Sequence, residues 1–201
     1  MRLVASYIAC SADGYIATPE GDISFLDRAV LEGEDYGYTA FMATVDTVFV
    51  GRKTYDKVAS LGFSDPHPEC TQVVFSRQPQ PDPWLNNGRR IWTATHPVAW
   101  VRAELLHPGK DLYCDGGAEI LHQILQAGLV DRWIITTVPV LLGNGIPLLD
   151  HPNRLSDFTL KNTTHYPNGV VQRTYAKKFA VEPAGADGGG DVWFPTAKVQ
   201  T

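Results

Sequence analysis

Cysteine is scarce: Cys10, Cys70 and Cys114 are three, an odd number, and none stands at metal-ligand spacing from another. A disulfide framework is therefore not expected, and free thiols suit a reducing cytoplasm. The six histidines are scattered, with no HxxxH pair and no His/Cys cluster, so a structural or catalytic metal is not expected either. Basic charge is in deficit as well. A net charge of −5 offers no footprint to nucleic acid or to an anionic membrane surface, so any anionic ligand must be held by local features. Long apolar runs are missing too. The opening Met1-Arg2-Leu3-Val4-Ala5 breaks at Ser11-Ala12-Asp13-Gly14, which is too short for a secretory signal or a membrane span. No internal repeat and no obvious nucleophile stand out.

What the chain does have is ordinary globular composition. Hydrophobic residues make up 44% and charged residues 19% of 201 residues, enough for one domain with a sizeable core. Apolar, β-prone runs predict strands at 3–10, 47–50, 72–75, 90–93, 111–114 and 132–140. Helical spacing predicts helices at 35–44, 53–60, 98–106 behind Pro97, and 118–127 closed by Gly128. Two late strands, 158–165 and 170–178, join at Pro167-Asn168-Gly169, a strong hairpin signal. Strand–helix alternation followed by a hairpin implies an α/β fold: a mostly parallel sheet, helices on its faces and an antiparallel edge. The domain is expected to occupy 1–179. Residues 180–201 are Gly-, Ala- and Pro-rich and read as an extension too short to bury a core, although Val192-Trp193-Phe194-Pro195 could dock on a partner.

Two strand-to-helix junctions carry the chemistry, Val50-Gly51-Arg52-Lys53-Thr54 and Cys114-Asp115-Gly116-Gly117-Ala118. Ligands of open α/β sheets sit at the carboxyl ends of strands, where helix N-termini offer amides and a favourable dipole to an anion. Glycine there lets backbone approach a pyrophosphate, and Arg52, Lys53 and Thr54 add side-chain donors. Ser76-Arg77 forms a third junction. Each glycine, taken alone, also reads as a simple turn residue.

Together with Ala12-Asp13-Gly14-Tyr15-Ile16-Ala17, Gly21-Asp22-Ile23-Ser24-Phe25 and Lys53-Thr54-Tyr55, these junctions resemble the dihydrofolate reductase superfamily. Asp131-Arg132-Trp133 and the run from Pro139 to Leu148, including Leu142-Gly143-Asn144-Gly145, are most similar to one branch. That branch holds the reductase domain of riboflavin-biosynthesis deaminase–reductases and its stand-alone relatives. The resemblance covers roughly residues 1–179 and implies a central sheet of about eight strands, NADPH as hydride donor and a homodimer. By matching position it places Ala12, Gly14 and Ile16 beside the nicotinamide. Gly51, Arg52, Lys53 and Thr54 fall at the pyrophosphate and adenosine end, and Ser76 and Arg77 at the 2′-phosphate. Gly116, Gly117, Ala118 and Glu119 face the pyrophosphate from the other side. Phe25 and Tyr38 fall near the substrate, and Asp35 on the position of the catalytic, pterin-binding carboxylate, with Glu32 and Glu34 as competitors.

Plainer readings stand beside these. Asp35 also reads as a helix cap, Tyr38 as core, Arg77 as an exposed loop residue, and Cys10 and Cys114 as small buried hydrophobes. The expected activity is NADPH-dependent hydride transfer to a C=N or C=O bond of a small heterocyclic or sugar-derived substrate. The enzyme type is a dihydrofolate reductase or a 5-amino-6-(5-phosphoribosylamino)uracil reductase, without the zinc deaminase signature that accompanies the latter in bifunctional chains. The alternative is a nucleotide-binding protein of the same fold without efficient turnover. A third reading gives the tail an assembly role.

Overall fold

The computed structural model describes residues 2–62, 65–78, 90–150 and 157–178. The 180–201 extension and the prolines at 79, 81 and 83 lie outside the described residues. Strand β1 (Val4–Ser11) opens the chain, followed by the short β2 (Tyr15–Ala17). A 3-10 helix at Ser24–Ala29 leads to α1 (Tyr38–Met42). Then come β3 (Val45–Gly51), α2 (Arg52–Ser60), β4 (Thr71–Phe75) and β5 (Arg90–Thr93). The alternation continues through α3 (Pro97–Glu104), β6 (Asp111–Gly116), α4 (Ala118–Gln126) and β7 (Arg132–Val138). Strand β8 (Ile146–Pro147) precedes the hairpin of β9 (Phe158–His165) and β10 (Val171–Lys177).

Eight strands form one sheet in the order β5-β4-β3-β6-β1-β7-β10-β9. The first six are parallel, β10 is antiparallel to β7, and β9 to β10. The parallel sheet with an antiparallel edge is thus as the sequence predicts. Helices cover both faces, which is why β3 and β4 are buried on both sides and show no polar alternation. Helices α3 and α4 pack Val101, Ile120, Leu121 and Ile124 on one face, against Phe49, Phe75, Leu112, Cys114 and Trp133. On the other face Phe41 of α1 is fully buried among Ala5, Val48, Tyr113 and Ile134. Helix α4 ends in a Schellman motif: Gly128 (φ +69°) donates to Leu125 O at 2.9 Å and Leu129 to Ile124 O at 3.0 Å.

Three local differences have physical causes. The helix expected over 35–44 begins only at Tyr38, because Tyr36 (φ +58°) and Gly37 (φ +79°) take left-handed backbone just before it. The strand expected to reach residue 140 stops at Val138. Pro139 has no N–H to give the ladder, and Val140 N turns back to Val138 O at 2.8 Å. The antiparallel ribbon of β2 with β8 was not expected, since segments of three and two residues carry no readable alternation. Cys10 and Cys114 are buried in one cluster, as small hydrophobes would be, and β1 lies beside β6 with Ser6 opposite Cys114. Burial pushes the Cys114 thiol up to about 12, which suits a small core residue and not a nucleophile. Among the described residues no helix is long and apolar enough to cross a membrane.

Candidate functional site

Chain direction fixes where a crevice opens. From β3 the chain leaves through α2 to β4 on one side, whereas from the adjacent β6 it leaves through α4 to β7 on the other. The two helices therefore diverge between β3 and β6, and this topological switch point is where open α/β sheets bind ligands. Both glycine junctions lie there, with Val50 opposite Gly116. Gly51 and Gly117 are the N-caps of α2 and α4, and neither helix start is capped by a side chain. Amides at both starts are thus left to backbone, solvent or a ligand.

Packing and backbone also favour glycine at these positions. A Cβ at Gly51 would lie 3.0 Å from Ile120 Cγ1, and one at Gly117 would lie 2.6 Å from Thr54 Oγ1. Gly116 takes φ +100°, which an L side chain rarely adopts. These contacts bring Gly51, Thr54, Gly116 and Gly117 together, and α4 continues with half-buried Ala118 and exposed Glu119. Of the remaining residues on α2, Arg52 is tied to Asp56 at 2.6 Å and stacks 5.0 Å over Trp92, while Lys53 is exposed. Ser76 follows β4, next to β3, with its N–H on Thr93 O at 2.9 Å, and the adjacent Arg77 is exposed.

On the other flank, the segment after β1 is clasped by the Pro139–Leu148 run. Asp13 accepts from Leu142 N at 3.2 Å and Gly143 N at 2.7 Å, and Ala12 N donates to Val140 O at 2.8 Å. The Ser11 hydroxyl, 2.6 Å from Asp13, is the main cause of a carboxyl held below the usual range. Gly14 (φ +88°) accepts from Leu148 N at 2.8 Å, and Ile16 packs half-buried on the α3/α4-side core. Gly145 must be glycine here, since a Cβ would stand 2.2 Å from Ala17 O.

Three acids, Glu32, Glu34 and Asp35, precede α1. Asp35 is exposed, and its oxygens accept from Gly37 N at 2.8 Å and Thr39 N at 3.0 Å. The Thr39 hydroxyl, with these amides, holds its carboxyl below the usual range. Asp35 stands two residues before the N-cap Gly37, so these bonds close an Asx-type turn that also satisfies an amide in the first turn of α1. Glu34 similarly accepts from Tyr36 N at 2.7 Å, and Glu32 is exposed. Phe25 is buried on the 3-10 helix, which packs against β7.

Asp115, to which the sequence reading assigned no role, belongs to a polar cluster at the end of β6. Strand alternation puts it on the α1/α2 face with Tyr113, whose hydroxyl lies 2.7 Å from Asp115 Oδ1. His67 Nε2 lies 3.5 Å from Oδ2, and Tyr38 Oη stands 3.3 Å from His67 Nδ1. Burial first, and then the Asp115 charge, push both phenols above their ordinary value, so both stay protonated. A small pocket lined by Val48, Val50, Tyr55, Val58, His67 and Asp115 opens beside them. Asp115 carried a signal in the strand period; His67, in a loop, carried none.

Known proteins match this architecture. The model of the RibD C-terminal domain family matches residues 2–172. A Bacillus subtilis (strain 168) protein of uncharacterised function, YwjB, is 36% identical over 174 residues, covering 84% of this chain and 95% of that protein. A solved structure from Shewanella sp. PV-4, named as a candidate riboflavin biosynthesis protein, superposes with a TM-score of 0.79 at 27% identity over 88% of this chain and 99% of its own. Dihydrofolate reductase from Enterococcus faecalis, complexed with NADP(H), shares the fold with a TM-score of 0.62 at 15% identity, over 88% of this chain and 97% of that one.

Proposed function

The chain belongs to the RibD C-terminal domain family, and from that premise we propose that it is an NADPH-dependent reductase of a small heterocyclic substrate, a riboflavin-pathway pyrimidine or a pterin-like ring. The observation that carries this reading is the paired cradle at the switch point: two glycine-led helix starts, Gly51 and Gly117, with Thr54 of α2 packed against Gly117. Any side chain at Gly117 would collide with Thr54, so backbone is kept open where an anionic pyrophosphate would approach. The NADP(H) complex of the Enterococcus faecalis enzyme supports the choice of cofactor.

When bound, NADPH supplies the hydride; the protein's part is orientation, exclusion of water and proton placement. Amides of α2 and α4 hold the pyrophosphate, with Arg52, Lys53 and Thr54 on one side and Gly116, Gly117, Ala118 and Glu119 on the other. Ser76 and Arg77 meet the 2′-phosphate. Ala12, Gly14 and Ile16 flank the nicotinamide, held by the Asp13 clasp. The substrate enters on the α1/α2 face near Tyr38 and Phe25, and Asp35 contributes by fixing the start of α1, which carries Tyr38. Asp115 supplies the carboxylate that still faces open space, its side chain being 24% exposed.

NADPH oxidation followed by nicotinamide absorbance, with a panel of ribosylaminopyrimidines and pterins, tests the reading. Substrate-dependent oxidation at an ordinary enzyme rate, about 1–10³ per second, is expected for one member. Arg77→Ala should weaken NADPH by roughly 1.5–3 kcal/mol and barely affect NADH, because only NADPH offers the guanidinium a phosphate. Saturable NADPH binding with no oxidation by any member would favour the non-catalytic nucleotide binder.

A further inference from the structure

Between α2 and the edge strand β5, four side chains stack in a row. The Arg52 guanidinium lies over the Trp92 ring at 5.0 Å, Tyr55 meets Trp92 edge to face at 5.2 Å, and Arg90 lies over the Tyr55 ring at 5.3 Å. The row is rooted in the interior. Arg90 is 7% exposed and donates to the Tyr55 hydroxyl at 3.0 Å and to Gln72 Oε1 at 3.3 Å. The outer end is held as well: the Arg52 Nε–H donates to both oxygens of Asp56, one helical turn on, at 2.8 and 2.6 Å. A guanidinium laid flat on an indole and held at Nε has few rotations left, yet its side chain stays 36% exposed. An ion pair this exposed adds little to stability, so its effect is orientation.

At the carboxyl edge Gly51, Phe75 and Thr93 stand in register across β3, β4 and β5. Two strand spacings, about 10 Å, therefore separate the switch-point end of β3 from β5. With the nicotinamide on the β1 flank and the pyrophosphate at the switch point, the far half of a dinucleotide runs toward β4 and β5, where this row stands. We propose that Trp92 is a positioning residue: with Asp56 it holds the Arg52 guanidinium as a flat plate on which the adenine ring of the cofactor stacks. The plate is close to neutral, because the Asp56 carboxylate offsets the guanidinium charge at hydrogen-bond distance. It favours a neutral planar ring over a phosphate dianion, which Asp56 repels. Recognition of the adenosine end is thus divided. Arg52 on its plate takes the base common to NADPH and NADH, and the 2′-phosphate is left to Ser76 and Arg77.

The proposal rests on the dinucleotide reading, and its test separates the two. Binding of NADPH and NADH is measured calorimetrically for wild type and variants, and binding of 5′-ADP by its displacement of NADPH. Arg52→Lys keeps the charge and removes the plane, and Trp92→Leu removes the support. Each should weaken NADPH, NADH and 5′-ADP by a common factor of about ten, within the range of one stacked base. Trp92→Phe, which keeps an aromatic face, should recover most of that loss. Asp56→Asn frees the guanidinium charge and should raise the preference for NADPH over NADH at least about threefold at low salt, an effect no packing defect would produce. Melting curves run alongside; if Trp92→Leu does not melt cooperatively, Arg52→Lys at its half-exposed position decides. A loss confined to NADPH in Arg52→Lys would make Arg52 a phosphate anchor and overturn the proposal. Unchanged affinities in Arg52→Lys, or an unchanged preference in Asp56→Asn, would overturn it too, and saturable NADPH binding by wild type would leave the cofactor reading standing. Wild type that binds neither dinucleotide overturns the cofactor reading, and this inference falls with it.

Discussion

Asp35 and Asp115 show how position within an element decides what a carboxylate can do. Asp35 precedes a helix, and its oxygens accept from the N–H groups of Gly37 and Thr39. Asp35→Asn should therefore change stability at neutral pH by less than about 0.5 kcal/mol, since Asn is nearly as good a cap, and should leave NADPH binding unaltered. If Asp35 were the proton donor, the same change would cut turnover by roughly 10²–10⁴. The pH dependence follows from its lowered carboxyl. Its stabilising share is complete above the ordinary carboxylate value, about 4, and is lost as pH falls through the lower native value. Melting curves between neutral pH and pH about 3 should fall less steeply for Asp35→Asn than for wild type. The sequence could show that an acid stood before a helix; it could not show that two left-handed residues, Tyr36 and Gly37, fold the backbone so that its carboxylate turns onto its own amides.

At the scale of elements, most of the framework was legible because buried parallel strands and amphipathic helices write their periods into the chain. Strand β5 falls on the expected residues, and α4 starts at Ala118 and is closed by Gly128, as expected. The hairpin signal was also sound, although its turn differs from the two-residue form. Gly169 N bonds to Tyr166 O at 2.9 Å and only Gly169 takes positive φ, so Pro167 and Asn168 make an ordinary turn before it. Contacts between distant elements were not legible, and the Thr54–Gly117 approach is the clearest case. Gly117 has φ −67°, open to any residue, so only that contact forbids a side chain. Gly117→Ala should lower stability by about 1–3 kcal/mol, as overpacking does. Adding Thr54→Ala should return part of that loss, a coupling of about 0.5–3 kcal/mol readable from denaturant melts of the four variants. Strict additivity would mean that α2 and α4 do not meet at this point.

The whole molecule carries a net charge of −5 and yet is assigned an anionic cofactor, so the overall field gives that ligand no help. On this reading binding comes from the place between β3 and β6 where the topology sets two helix starts side by side. His67 belongs to this scale as well: nothing in its neighbourhood along the chain marks it, and only the folding of a loop against β6 and α1 brings it to Asp115 and Tyr38. The account's central claim is that the switch-point crevice holds NADPH. Its most direct test is an equilibrium titration of the full chain with NADPH, followed by fluorescence, beside the same titration of Gly117→Ala. Saturable binding by wild type, about one NADPH per chain, and its loss in a Gly117→Ala variant that melts cooperatively are the predicted result. Absence of saturable binding by wild type, or equal binding by a folded Gly117→Ala variant, would contradict it.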